Sequence, residues 1–294
     1  MRKFENSWEL GNFSTPRVFL TLLLVLGGFL LGNLPLILLY PNKGEVTMTD
    51  LEAYFGFTAL FVLQMIPFFV GILAFFISVK FVHKTSWLTW ITAREKIEAP
   101  RLFFAFGLWA LLIIIPTLID WLLFPNKYEV QAVNFEFIKA FLLLLIGLPV
   151  QVFFEELLFR SFIFQGIFKR TNSAFLAILL SGVMFGMMHL GNPEVTAHGY
   201  GLLAIYITLG VFISLMTYLD QGIEVAFGFH LANNFITGLL VTSSEQAFQM
   251  PALFKMESLE VNTASFMTLL CSLLIFFILC FRRFQWKQMF IKSK

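Results

Sequence analysis

A few ionisable and amide side chains stand where a lipid-soluble sequence would exclude them, and their types suit hydrolysis. Glu155 and Glu156 interrupt the apolar stretch Phe153-Phe154-Glu155-Glu156-Leu157-Leu158-Phe159-Arg160; His189 closes a second apolar run, and His230 and Asn234 lie in a third. A charged side chain well inside a bilayer costs about 2.5 kcal/mol or more, so such residues face a protein interior and serve a purpose there. Glu with His can activate water for attack on a peptide carbonyl, directly or through a bound divalent metal. His and Asn can donate hydrogen bonds to the oxyanion that forms. The competing structural reading is that these groups bond neighbouring helices. Two histidines on two helices, with a carboxylate pair on a third, favour a site.

Spacing separates the roles. Glu156 and Arg160 are four apart with the acid N-terminal, the favourable order for an ion pair on one helix face. Glu155 is turned by about 100° from Glu156 and has no basic partner within its own helix, so its partners must come from elsewhere in the chain. His230 and Asn234 share a helix face, as do Phe185 and His189. Gly182 and Gly186 form a small-xxx-small pattern that lets a neighbouring helix approach.

The elements that position these residues are membrane spans. Hydrophobic residues make up 59 % of the chain and charged ones 13 %, against about 25 % charged in soluble domains. The expected fold class is all-α: a polytopic membrane protein of about eight transmembrane helices, forming a single integral membrane domain over 1–294. The expected spans are Val18–Tyr40, Phe55–Val79, Leu102–Leu123, Phe137–Phe164, Ala174–Leu190, Leu202–Leu219, Ile223–Val241 and Ser265–Phe281. The first is too long for a signal-peptide core and reads as a retained span. Most of the 20 Lys and Arg fall on one side if both termini are cytoplasmic, with Lys287, Lys292 and Lys294 inside and Lys43 outside. Pro149 should kink the fourth span. At about 1.5 Å per residue, Glu155 lies about 15 Å from the cytoplasmic end of its span, His230 about 11 Å and His189 about 23 Å, so His189 matches poorly unless its helix tilts or starts late.

Other features carry less. Cys271 and Cys280 lie on opposite faces of one helix and cannot bridge. His83, in a basic loop, is expected to be solvated, and His198 is a loop histidine. No basic, aromatic-interleaved patch indicates nucleic acid as a partner. The absence of an internal repeat disfavours an inverted-repeat transporter.

Taken together, Glu155-Glu156-x-x-x-Arg160, Phe185-x-x-x-His189 and His230-x-x-x-Asn234 resemble the three motifs of the CPBP family. That family groups CAAX prenyl endopeptidases with bacteriocin-processing and immunity (Abi-type) membrane proteins. The resemblance covers a core at 137–242 and implies an intramembrane endopeptidase with a cavity open toward the cytoplasm. Its implied catalytic residues are Glu155 and His189, which activate water, and His230 and Asn234, which stabilise the oxyanion; Glu156 and Arg160 support the site. Family members have been treated both as glutamic proteases and as metalloproteases. If a divalent metal such as zinc is used, its ligands would be Glu155, His189 and His230. The expected partners are the lipid bilayer and a membrane-associated peptide or protein substrate, in a bacterial plasma membrane rather than the endoplasmic reticulum. The alternatives are a non-proteolytic immunity or peptide-binding protein and a proton-coupled transporter.

Overall fold

A segment with no water to bond its peptide groups must satisfy them internally, so apolar runs of this length fold as helices. The computed structural model describes residues 3–41, 46–258 and 262–286; Lys43, Lys287, Lys292 and Lys294, used for the orientation, lie outside them. After a short 3-10 turn at Phe4–Leu10 come α1 (Thr15–Gly32) and α2 (Leu34–Leu39). Helix α3 (Met48–Ile77) starts at a capping box between Thr47 and Asp50 and ends in a π-helical stretch, Ser78–Val82. Then follow α4 (Leu88–Ile91), α5 (Ala99–Leu123), strand β1 (Glu129–Val130) and α6 (Phe135–Glu156). A second π-helical stretch, Leu157–Ile163, joins α6 to α7 (Phe164–Thr171). Helix α8 (Ala174–Met187) continues as a 3-10 turn to Gly191, before α9 (Pro193–His198), α10 (Tyr200–Asp220) and α11 (Glu224–Leu240). Strands β2 (Val241–Thr242) and β3 (Phe254–Lys255) precede α12 (Thr263–Arg283).

Among the described residues, seven helical segments are long and apolar enough to cross a membrane. They correspond to seven of the eight expected spans. The eighth, α11, has 17 residues, about 26 Å of helix at 1.5 Å per residue against a hydrocarbon core of about 30 Å. It packs against α5, α6 and α10. Gly228 permits this closeness: a Cβ there would stand 2.2 Å from the Leu102 carbonyl oxygen. The small-residue pattern works as expected, since a Cβ on Gly182 would lie 2.4 Å from the Val211 nitrogen of α10. The three short strands pair in the order β1-β3-β2 at the end of the bundle where α6 begins and α11 ends.

At the opposite end of α11, an ionic clasp ties the first turn of α5 and the loop before it to the α10–α11 turn. Arg94 Nη2 lies 3.0 Å from Asp220 Oδ2 and 2.8 Å from Glu224 Oε2, and Arg101 Nη1 lies 2.6 Å from Asp220 Oδ1. Trp286 Nε1 donates to the same Asp220 oxygen at 3.1 Å.

Two expectations need correction. The fourth span does not stop near Phe164; helical structure runs from Phe135 to Thr171, because Gln165 and Gly166 are buried against the N-terminal turn, where Trp8 packs on Gly166. Pro149 lies inside this helix, and a π-helical stretch follows at Leu157–Ile163.

His83 is not solvated. It is fully buried, with Nε2 2.7 Å from Thr21 Oγ1, Nδ1 2.9 Å from the Asn12 carbonyl oxygen, and Phe13 stacked on its ring. Burial, aided by Arg17, holds its pKa below the ordinary 6.5. A histidine neutral when folded and free to protonate when unfolded contributes stability above its unfolded pKa that is lost as pH falls through the folded value. Thermal unfolding in detergent should therefore show an apparent Tm that drops on acidification from about pH 6.5. His83→Asn should flatten that slope, and an equally steep slope in the variant would assign the acid sensitivity elsewhere.

Candidate active site

Three helices deliver the polar cluster. The α6 helix brings Gln151, Glu155 and Glu156, and the π-helical stretch after it carries Arg160. π-Helical stretches often mark functional positions. Glu156 and Arg160 are fully buried. The Arg160 guanidinium lies 4.2 Å from the centre of the Phe185 ring of α8, and its Nη1 is 3.5 Å from Glu156 Oε1. The expected ion pair is thus present but loose, and none of the guanidinium nitrogens has a protein hydrogen-bond acceptor among the described residues.

His230 of α11 is where the two carboxylates meet. Its Nδ1 lies 2.8 Å from Glu156 Oε1, and its Nε2 lies 3.4 Å from Glu155 Oε2 and 3.4 Å from Asn234 Nδ2. Because a carboxylate can only accept, Nδ1 carries the proton toward Glu156, and a neutral His230 keeps a lone pair at Nε2. Glu155 Oε1 accepts from Gln151 Nε2 at 3.3 Å, while Oε2 is buried without a donor among the described residues.

His189 joins the cluster from the far end of α8. Its Nδ1 is 3.0 Å from the Phe185 carbonyl oxygen, so the proton is on Nδ1 and Nε2 is the bare nitrogen. His189, His230 and Asn234 line one cavity of about 20 Å³, room for a single water. The depth mismatch disappears with the longer fourth helix. Glu155 is about 24 Å from Thr171 and His189 about 23 Å from Ala174 at 1.5 Å per residue. Glu155, Glu156 and Asn234 each approach His230 within 3.4 Å, His189 shares a cavity with His230 and Asn234, and Arg160 packs on the Phe185 ring. His198 is elsewhere, paired with Glu245 at 2.8 Å.

Several wall residues were not foreseen. The Tyr206 ring stacks on His189 at 4.1 Å, and its hydroxyl donates to Glu194 Oε1 at 2.7 Å. Glu194 also accepts from Asn192 Nδ2 at 2.9 Å and from the Ala247 backbone N–H at 3.1 Å. Asn233 lines the same cavity. Gln151 could have been found by its i−4 spacing to Glu155, and Asn233 as a second amide in an apolar helix. Tyr206 carries no such signal in a chain with so many aromatic residues.

The proposed metal ligands, Glu155, His189 and His230, do not stand as a ligand set. Among the described residues no three His, Cys, Asp or Glu side chains are grouped to hold a metal ion. As arranged they do not fit a bound divalent ion.

Comparison with known proteins agrees with the motif reading. Residues 137–236 match the family model described as type II CAAX prenyl endopeptidase Rce1-like, a span that holds all three motifs. The uncharacterized protein YyaK of Bacillus subtilis (strain 168) is 28 % identical over 259 residues, covering 83 % of this chain and 84 % of YyaK. No solved structure matches.

Proposed function

From the premise that 137–236 is an Rce1-like, CPBP-type segment in a multi-pass membrane protein, we propose a glutamate-dependent intramembrane endopeptidase. Its motif-bearing core is 137–242, both termini are cytoplasmic, and it works in a bacterial cell membrane. The substrate is a membrane-associated peptide or protein. The observation that carries the reading is Glu155 Oε2, a buried acceptor without a donor among the described residues, 3.4 Å from His230 Nε2 and beside a cavity the size of one water that His189 lines.

One water can give one O–H to Glu155 Oε2 and the other to the bare Nε2 of His189, leaving its lone pair free to attack. Glu155 takes a proton as the water oxygen bonds to the scissile carbonyl carbon. The second O–H stays on the bare Nε2 of His189, because the one lone pair of His230 Nε2 receives an N–H from Asn234. The carbonyl oxygen becomes an oxyanion and receives an N–H from Asn234, whose other N–H is toward His230. The C–N bond then breaks, and the proton held by Glu155 passes to the leaving amine. Water has been divided between the new carboxyl group and the new amine. His230 acts as the acceptor that holds Asn234, a departure from the expectation that it donates to the oxyanion. Glu156 keeps it in the required tautomer, and Tyr206 walls off His189.

The test is purified protein in lipid nanodiscs, with quenched peptides anchored by a lipid or a transmembrane segment and run in isotopically heavy water. Mass spectrometry should find one heavy oxygen in a new C-terminal carboxyl group. A set of anchored peptides that all stay intact would overturn the reading and leave a binding or immunity role in front.

A further inference from the structure

The amide of Asn234 is useful to an oxyanion only if its NH2 end, not its carbonyl end, is turned into the cavity. The cause of that orientation lies outside the matched segment, on α5. Trp109 is almost fully buried, with its ring 4.1 Å from that of Phe229 and 5.7 Å from that of Phe276. Its Nε1 lies 3.2 Å from Asn233 Oδ1. An indole N–H can only donate, so it dictates which end of the Asn233 amide faces it. The Asn233 NH2 is then directed to Asn234 Oδ1 at 3.3 Å, and the Asn234 NH2 to His230 Nε2 at 3.4 Å. His230 completes the run by donating Nδ1–H to Glu156 Oε1 at 2.8 Å. Every link in Trp109, Asn233, Asn234, His230, Glu156 points the same way. It starts at a group that cannot accept and ends at one that cannot donate.

We propose that Trp109, acting through Asn233, is a positioning residue for hydrolysis: it fixes the Asn234 amide with its N–H groups toward His230 and the oxyanion. The proposal rests on the endopeptidase reading for its kinetic test, though not for its spectroscopic one. Without the indole donor both amides are free to flip, and a flipped Asn234 would present an acceptor to a developing negative charge.

Trp109→Phe removes the N–H and keeps an aromatic ring against Phe229. In the peptide assay we expect kcat to fall about ten-fold, the scale of one lost positioning hydrogen bond, with KM little changed. In an Asn234→Ala background the same change should cost nothing further, because its effect passes through Asn234. If Trp109→Phe does not fold, Asn233→Asp serves instead. It is nearly isosteric and can still accept from Trp109, but it has no N–H for Asn234. Heavy-nitrogen-labelled histidine gives a readout that needs no turnover. In the wild type, His230 should show one neutral tautomer protonated at Nδ1, and Trp109→Phe should give a mixture. An unchanged kcat, or the same loss in the Asn234→Ala background, would overturn the proposal. So would a wild-type His230 protonated at Nε2 alone. An inactive wild type with the expected tautomer would sink the endopeptidase reading alone.

Discussion

Glu155→Gln is expected to remove peptide cleavage almost completely, by about 10²–10⁴-fold, while leaving expression and thermal stability close to the wild type. The amide fills the same volume and can still meet Gln151, but it cannot take the proton that water must lose. Its side chain is 13 % exposed beside His230, so removing the charge does not strand an ion in the core. His189→Ala should behave similarly. The two changes together should be little worse than either alone, because groups that act on one water are strongly non-additive. Purified variants assayed on the same anchored peptide decide the matter. Full turnover by Glu155→Gln would end the glutamate mechanism, whatever His189→Ala did.

The second large effect concerns folding. Arg160→Ala should cost about 3 kcal/mol, the low end for breaking a buried pair, since Glu156 at 3.5 Å keeps its other partner, His230. The loss shows as a smaller folded fraction on size exclusion and a lower apparent Tm. Changing Glu156 to Gln in the same chain should recover part of it, because the uncompensated charge is then gone. Activity should not return with stability, since His230 loses the carboxylate that sets its tautomer. A double variant no more stable than Arg160→Ala would show that the two residues are not energetically coupled.

The spans could be read from the sequence because lipid leaves a peptide chain little choice but helix, and the motifs because charge in lipid must have a cause. What escaped detection depends on partners distant in the chain. His83 looks solvated until Thr21, 62 residues away, and Asn12, 71 away, close over it. The helix end at Thr171 looked like loop because Gln165, Lys169 and Arg170 are polar; only the N-terminal turn packing against it reveals the extension. Trp109 was one aromatic residue among many until α11 set Asn233 opposite its N–H. The candidate residues were legible, and the groups that orient them were not.

The spacing within the long central helix also bears on how the protein is made. Glu156 and His230 are 74 residues apart, so at synthesis rates of about 5–20 residues per second the carboxylates emerge roughly 4–15 s before their histidine. For that interval the helix must enter the membrane with only the partners it carries itself. Arg160 lies one turn after Glu156, and Gln151 donates to Glu155 from one turn before. Each acid thus has a neighbour that travels with it through insertion.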